Sequence, residues 1–172
     1  MMQIDDSIIE LATQVIDHAK EKGVKLGCVE SCTGGLLGSI LTSIPGSSDV
    51  FEGGLMTYSN ETKVRLVGVD REALEKHGAV SSPVAAHMAR GGISVIGADR
   101  CVSITGIAGP GGGTEDKPVG TVWFGLATKG SHEVKCSLGD FDGADFGGGR
   151  HGIRMQSVEL ALRMLDVGGV GS

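Results

Sequence analysis

Residues 25–43 read KLGCVESCTGGLLGSILTS, and this stretch decides the architecture. Lys25 to Val29 is a short apolar run of strand length, and Leu36 to about Ser43 is apolar at helical spacing until Pro45 ends it. Between them, Glu30-Ser31-Cys32-Thr33-Gly34-Gly35 forms a strand-to-helix junction. Such a junction exposes unpaired N–H groups and the positive end of a helix dipole. Working outward, Ile8, Ile9, Leu11, Ala12, Val15, Ile16 and Ala19 recur as one helical face, with Gly23 as the stop. Residues 50–58 read as a strand, and Asn60 and Asp70 as N-caps of two short helices, the second closed by Gly78. Ser82-Pro83 reads as a cap with proline at the first helical position, opening a helix to about Ile96. Cys101 to Gly106 is a buried strand, 107–118 a glycine-rich loop, and 119–128 with 131–138 a hairpin turning near Lys129-Gly130. A last amphipathic helix covers about Arg150 to Leu165. This alternation predicts an α/β fold: a single layered domain over 1–172, with a mixed β-sheet packed by helices.

Composition narrows the function classes. The chain has 172 residues, 40% of them apolar and 21% charged, the balance of a globular protein. No apolar run approaches the roughly 20 residues that span a bilayer. The N-terminal MMQIDDSIIELATQ carries acids where a secretory signal carries Lys or Arg, so a cytoplasmic protein with no membrane partner is expected. A net charge of -6, no Lys/Arg cluster and 3% aromatics argue against a nucleic-acid partner. Cys28, Cys32, Cys101 and Cys136 show no zinc spacing and read as reduced thiols, and the five histidines are scattered, so no metal site is expected. Thirty glycines, clustered at 34–35, 53–54, 91–92, 109–113 and 147–149, indicate a site built largely from main chain.

Three segments can carry chemistry. In Glu30–Gly35, Ser31 or Thr33 is a simple N-cap, or the junction is an anion cradle, or it holds a nucleophile beside oxyanion donors. Neither GxxxxGK[ST] nor GxSxG occurs. In Thr57-Tyr58-Ser59-Asn60-Glu61-Thr62-Lys63, the only tyrosine lies five residues before a lysine in the first turn of a short helix. That lysine is an ordinary surface residue, or it faces the helix dipole with a lowered pKa and points back at Tyr58 as a base. Ser103–Thr114 has the glycines of a dinucleotide loop but no helix after it, so it reads as a lid or cradle flanked by Thr105 and Thr114, or as a long hairpin loop. Asp140-x-Asp142-x-x-Asp145 lacks the closing Glu of a calcium loop and reads as solvated.

Taken together, ESCTGG, IPGSSDVFEGGLMTYSNETKV, GAVS and SITGIAGPGGGTEDKPVGTVWFGLAT resemble the C-terminal domain of the CinA (competence/damage-inducible) family over nearly the whole chain. That family includes stand-alone nicotinamide-nucleotide amidases. The resemblance implies hydrolysis of the carboxamide of nicotinamide mononucleotide (NMN) to nicotinate mononucleotide and ammonia, in pyridine nucleotide salvage, with no metal or organic cofactor. It also implies a homo-oligomer such as a dimer, without the molybdopterin-binding-like domain of longer members. The family's catalytic serine, tyrosine and lysine fall on Ser31, Tyr58 and Lys63, with Tyr58 a possible relay for the proton. The substrate-binding positions are Thr33, Gly34, Thr105, Gly106, Gly111, Gly112 and Thr114, with oxyanion donors near Thr33-Gly34 or Gly106. The glycine loop and a helix N-terminus would take the ribose phosphate, and which end does which stays open. Many members follow Gly-Asp directly with Arg. Here Phe141–Gly149 separate Gly139-Asp140 from Arg150, which reads as a surface-loop insertion and puts ligand contacts of Asp140 and Arg150 in question. A non-catalytic nucleotide- or partner-binding module is the competing reading, and thiol chemistry at Cys32 a third.

Overall fold

The computed structural model describes residues 4–168. Helix α1 (Asp6–Lys22) is capped by the Asp5 side chain and ends at Gly23 in the left-handed region, with Ile8, Ala12, Val15, Ile16 and Ala19 as its buried stripe. Strand β1 (Leu26–Glu30) is buried along its whole length. Helix α2 (Leu36–Ser43) and the edge strand β2 (Phe51–Met56) follow. Next come helices α3 (Asn60–Val67), α4 (Arg71–His77) and α5 (Ser82–Ile96), then strand β3 (Arg100–Gly106). Strands β4 (Thr121–Thr128) and β5 (Val134–Asp140) form the hairpin, and helix α6 (Gly149–Leu165) closes the chain.

The five strands lie in the order β2-β1-β3-β4-β5. β2, β1 and β3 are parallel, and β4 and β5 are antiparallel additions, so the sheet is mixed as expected. Alternation along the strands sorts the core into two layers. Leu26, Cys28, Val102, Ile104 and Phe124 pack under α1, α2 and α6. Val29 and Cys101 pack on the other side with Val67, Val84 and Met88 of α3 and α5. Helices on both faces explain why β1 and β3 read as continuous apolar runs.

Two helix starts differ from the sequence reading by one residue. The cap of α3 is Ser59, not Asn60: its hydroxyl accepts from the Thr62 N–H while Thr62 Oγ1 accepts from the Ser59 N–H, a reciprocal capping box. Helix α5 begins at Ser82 itself, after Ser81, whose hydroxyl donates to the Gly78 carbonyl instead of capping. Asp70 caps α4 as expected. Residues 141–149 are more than a surface loop. Phe141 packs edge-on against Phe124 at 6.1 Å, its N–H donates to the Gly120 carbonyl, and the Gly143 N–H donates to Gln156 Oε1. No helix among the described residues is long and apolar enough to cross a membrane.

Candidate active site

The chain leaves β1 for β2 on one side and returns to β3 on the other, so the C-terminal ends of β1 and β3 flank a switch in strand order. In open α/β sheets that crevice is where ligands bind. Ser31 follows β1 directly, its N–H donating to the Ile104 carbonyl of β3 at 3.0 Å. Thr57 follows β2, and its N–H donates to the Glu30 carbonyl at 2.8 Å, which brings the start of α3 beside Ser31.

Lys63, on the first turns of α3, is therefore turned inward and only 1% exposed. Its Nζ lies 2.9 Å from Ser31 Oγ and donates to the Thr57 carbonyl at 2.8 Å. Burial lowers its pKa from 10.5 to about 8, offset in part by the Cys32 thiol beside it. The cause is desolvation of the ammonium. Ser31 and Lys63, 32 residues apart in the chain, thus form a buried hydroxyl–amine pair.

Tyr58 stands on the exposed side of the same cleft. It is 62% exposed, and its hydroxyl accepts from Arg150 Nη2 at 3.3 Å. Among the described residues no hydrogen bond joins it to Ser31 or Lys63. Arg150, whose place the 141–149 segment put in question, is brought to the site by the first turn of α6. Its Nη1 donates to the Gly109 carbonyl at 2.7 Å. Ser31, Lys63, Tyr58 and Arg150 line one cleft of about 270 Å³ with Thr105, Gly106, Gly111 and Gly112. Asn60, Ala79, Val80 and residues 107–109 complete it, positions that the sequence places in a helix cap, the GAVS motif and the glycine loop without a ligand role of their own. The glycine loop is both things the sequence allowed, a hairpin connection and a wall of the cleft.

Three expected ligand positions lie outside that lining. Thr33 is fully buried, its carbonyl held by Arg154 Nη2 at 2.6 Å and its hydroxyl without a protein partner. The Gly34 N–H is already spent on the Ser31 carbonyl at 3.1 Å. Thr114 folds back on its own loop, bonding the backbone of Lys117. The start of α2 is closed as well, because the buried Glu30 carboxylate accepts from the N–H groups of Gly35, Leu37 and Gly38. That helix end cannot cradle a phosphate. By the alternation of an antiparallel strand, in which Ile107 donates to β4, the Gly106 N–H faces the space beyond the end of β1. Thr105 ties the cleft floor together through its hydroxyl, which donates to the Ala79 carbonyl at 2.9 Å.

Cys32 also lines the cleft, but burial, reinforced by the charge of Glu30, pushes its thiol up to about 11. It stays protonated at neutral pH, which removes the basis for thiol chemistry. A larger cleft of about 510 Å³, bordered by Asp5, Asp6, Asp145 and His151, holds no nucleophile paired with a base. Among the described residues no group of three metal-ligating side chains comes together.

The CinA C-terminal domain model matches residues 8–167. The nicotinamide-nucleotide amidohydrolase PncC of Escherichia coli (strain K12) is 44% identical over 164 residues, covering 94% of each chain. A CinA-like protein of Chlorobaculum tepidum is 51% identical over 164 residues, but the chain spans only 38% of its length. The crystal structure of the competence/damage inducible protein CihA from Agrobacterium tumefaciens superposes with a TM-score of 0.89 at 39% identity, covering 96% of this chain and 97% of that one. The family match spans nearly the whole chain and the near full-length likeness to PncC agrees with it, so the chain belongs to the CinA C-terminal domain family.

Proposed function

We infer that this chain is an amidohydrolase that cleaves the carboxamide of NMN, using Ser31 as nucleophile and Lys63 as base. The observation that carries the reading is the contact between Ser31 Oγ and a buried, pKa-lowered Lys63 Nζ at 2.9 Å. A serine hydroxyl is a weak nucleophile until an adjacent base takes its proton. With its pKa near 8, Lys63 supplies a neutral amine in about a tenth of molecules at pH 7.

The steps follow from that pair. Ser31 Oγ bonds to the amide carbon as its proton passes to Lys63 Nζ, and the carbonyl π electrons move onto oxygen. The N–H of Gly106 receives the oxyanion. The C–N bond breaks as Lys63 returns the proton to nitrogen, releasing ammonia and leaving a nicotinoyl ester on Ser31. Water, deprotonated by Lys63, attacks that ester, and the proton goes back to Ser31 Oγ as nicotinate mononucleotide leaves. The Thr57 carbonyl fixes Lys63 throughout. The ribose phosphate lies toward the open end, where Arg150, Tyr58 and the 109–112 loop stand, since Glu30 occupies the start of α2.

No step calls for a metal or an organic cofactor. The same reading places the protein in the cytoplasm as a homo-oligomer, whose size light scattering measures. The decisive experiment is ammonia release from NMN by the wild type beside Ser31→Ala. We expect the substitution to lower kcat by at least ~10³-fold with the fold intact. Ammonia release by Ser31→Ala at the wild-type rate would overturn the assignment.

A further inference from the structure

Glu30 is a buried acid beside a reaction that has no use for one. It ends β1, is 2% exposed, and does not line the cleft although Ser31 is its neighbour in the chain. Its Oε2 accepts from the N–H groups of Gly35 and Leu37, each at 3.1 Å, and its Oε1 from Gly38 at 2.8 Å. These are donors that the opening of a helix leaves unpaired. A cap ordinarily comes from the residue at the helix start, but Gly35 holds that position in α2 and has no side chain to give. The strand supplies the cap instead, five to eight residues upstream.

The turn between strand and helix is consequently clamped from two sides. Glu30 holds its N–H groups, and Arg154 of α6 holds the Thr33 carbonyl at 2.6 Å. The Ser31 side chain sits between these anchors, 2.9 Å from Lys63.

We propose that Glu30 is a positioning residue of the acyl-transfer site: it locks the turn carrying Ser31 to the first turn of α2. This rests on the reading of Ser31 as the nucleophile. The lock serves one outcome, a single reactive atom held at a fixed distance from its base.

The test is Glu30→Gln, read by two rates and a folding check by circular dichroism. We expect kcat on NMN to fall about 10- to 100-fold while KM changes less than about threefold, the pattern of a misplaced reacting group. Sulfonylation of Ser31 by phenylmethylsulfonyl fluoride, followed by intact mass, should slow by a similar factor. A wild-type rate of sulfonylation overturns the proposal. Should Glu30→Gln fail to fold, Glu30→Asp keeps the charge and shortens the reach: slowed sulfonylation supports the role, and a wild-type rate overturns it. A wild type that releases no ammonia from NMN would end the amidase reading, yet the sulfonylation rate would still decide what Glu30 does.

Discussion

Lys63 is held at about 8 instead of 10.5 because burial penalises its charge. At neutral pH that difference opposes folding by up to about 3 kcal/mol, a cost carried for the sake of a reactive amine. The linkage has a definite direction. Between pH 8 and 10.5 the unfolded chain still binds a proton that the native state has released, so stability rises with pH across that window. Lys63→Met should remove the rise, and denaturant titrations at several pH values measure it; parallel stability curves for the two proteins would contradict the buried-amine reading. Activity has its own profile. Log kcat/KM on NMN should climb by about one per pH unit up to about 8 and then level, while Lys63→Met loses about 10²- to 10⁴-fold.

The strand–turn–helix element is what holds the nucleophile, and its backbone can be probed without touching a functional side chain. Gly35 has φ +89° with open space where a Cβ would stand, and so does Gly23 at the end of α1, with φ +63°. Alanine at either position meets only backbone strain, on the order of 1–2 kcal/mol. We expect Gly35→Ala and Gly23→Ala to lower the denaturant midpoint alike, but only Gly35→Ala to reduce kcat, because only that strain falls on the turn after Ser31. Equal kcat in both would mean the turn tolerates displacement. Elements of this kind were legible from sequence where the signal is local. Gly34-Gly35 and Pro45 bracket α2, and its residues Leu36–Ser43 are those the spacing predicts. Where two capping residues stand side by side, as at Ser59-Asn60, composition cannot choose between them, and the hydrogen bond does. The cap by Glu30 escaped notice for a related reason: local capping patterns reach two or three residues, and this one reaches five to eight. Ser31 and Lys63 were found through the motifs they stand in, but their contact exists only once β1 and α3 are brought together. Arg150 lies far downstream, so no spacing pointed to the cleft.

At the scale of the molecule, charge and topology meet in that cleft. The chain carries a net charge of -6, yet among the described residues no carboxylate lines the cleft, whose charged side chains are Lys63 and Arg150. Lys63 is buried beside Ser31, which leaves Arg150 as the cation at the open end, delivered there by a helix from the far end of the chain. Its guanidinium is pinned by the Gly109 carbonyl and the Tyr58 hydroxyl, both neutral, so its charge is uncompensated by any salt bridge among the described residues. A pinned, unpaired guanidinium is suited to a phosphate, which it can meet through paired N–H groups. The arrangement predicts discrimination between NMN and nicotinamide riboside, which has the same amide and no phosphate. Arg150→Ala should raise KM for NMN about tenfold, the equivalent of about 1.4 kcal/mol of lost binding, and change KM for the riboside by less than about twofold. The control lies in kcat, since a residue that binds only the remote phosphate leaves the Ser31–Lys63 distance alone. An equal rise in KM for both substrates would mean that Arg150 shapes the cleft instead of reading the phosphate, and the anion would then belong to the backbone of the 109–112 loop.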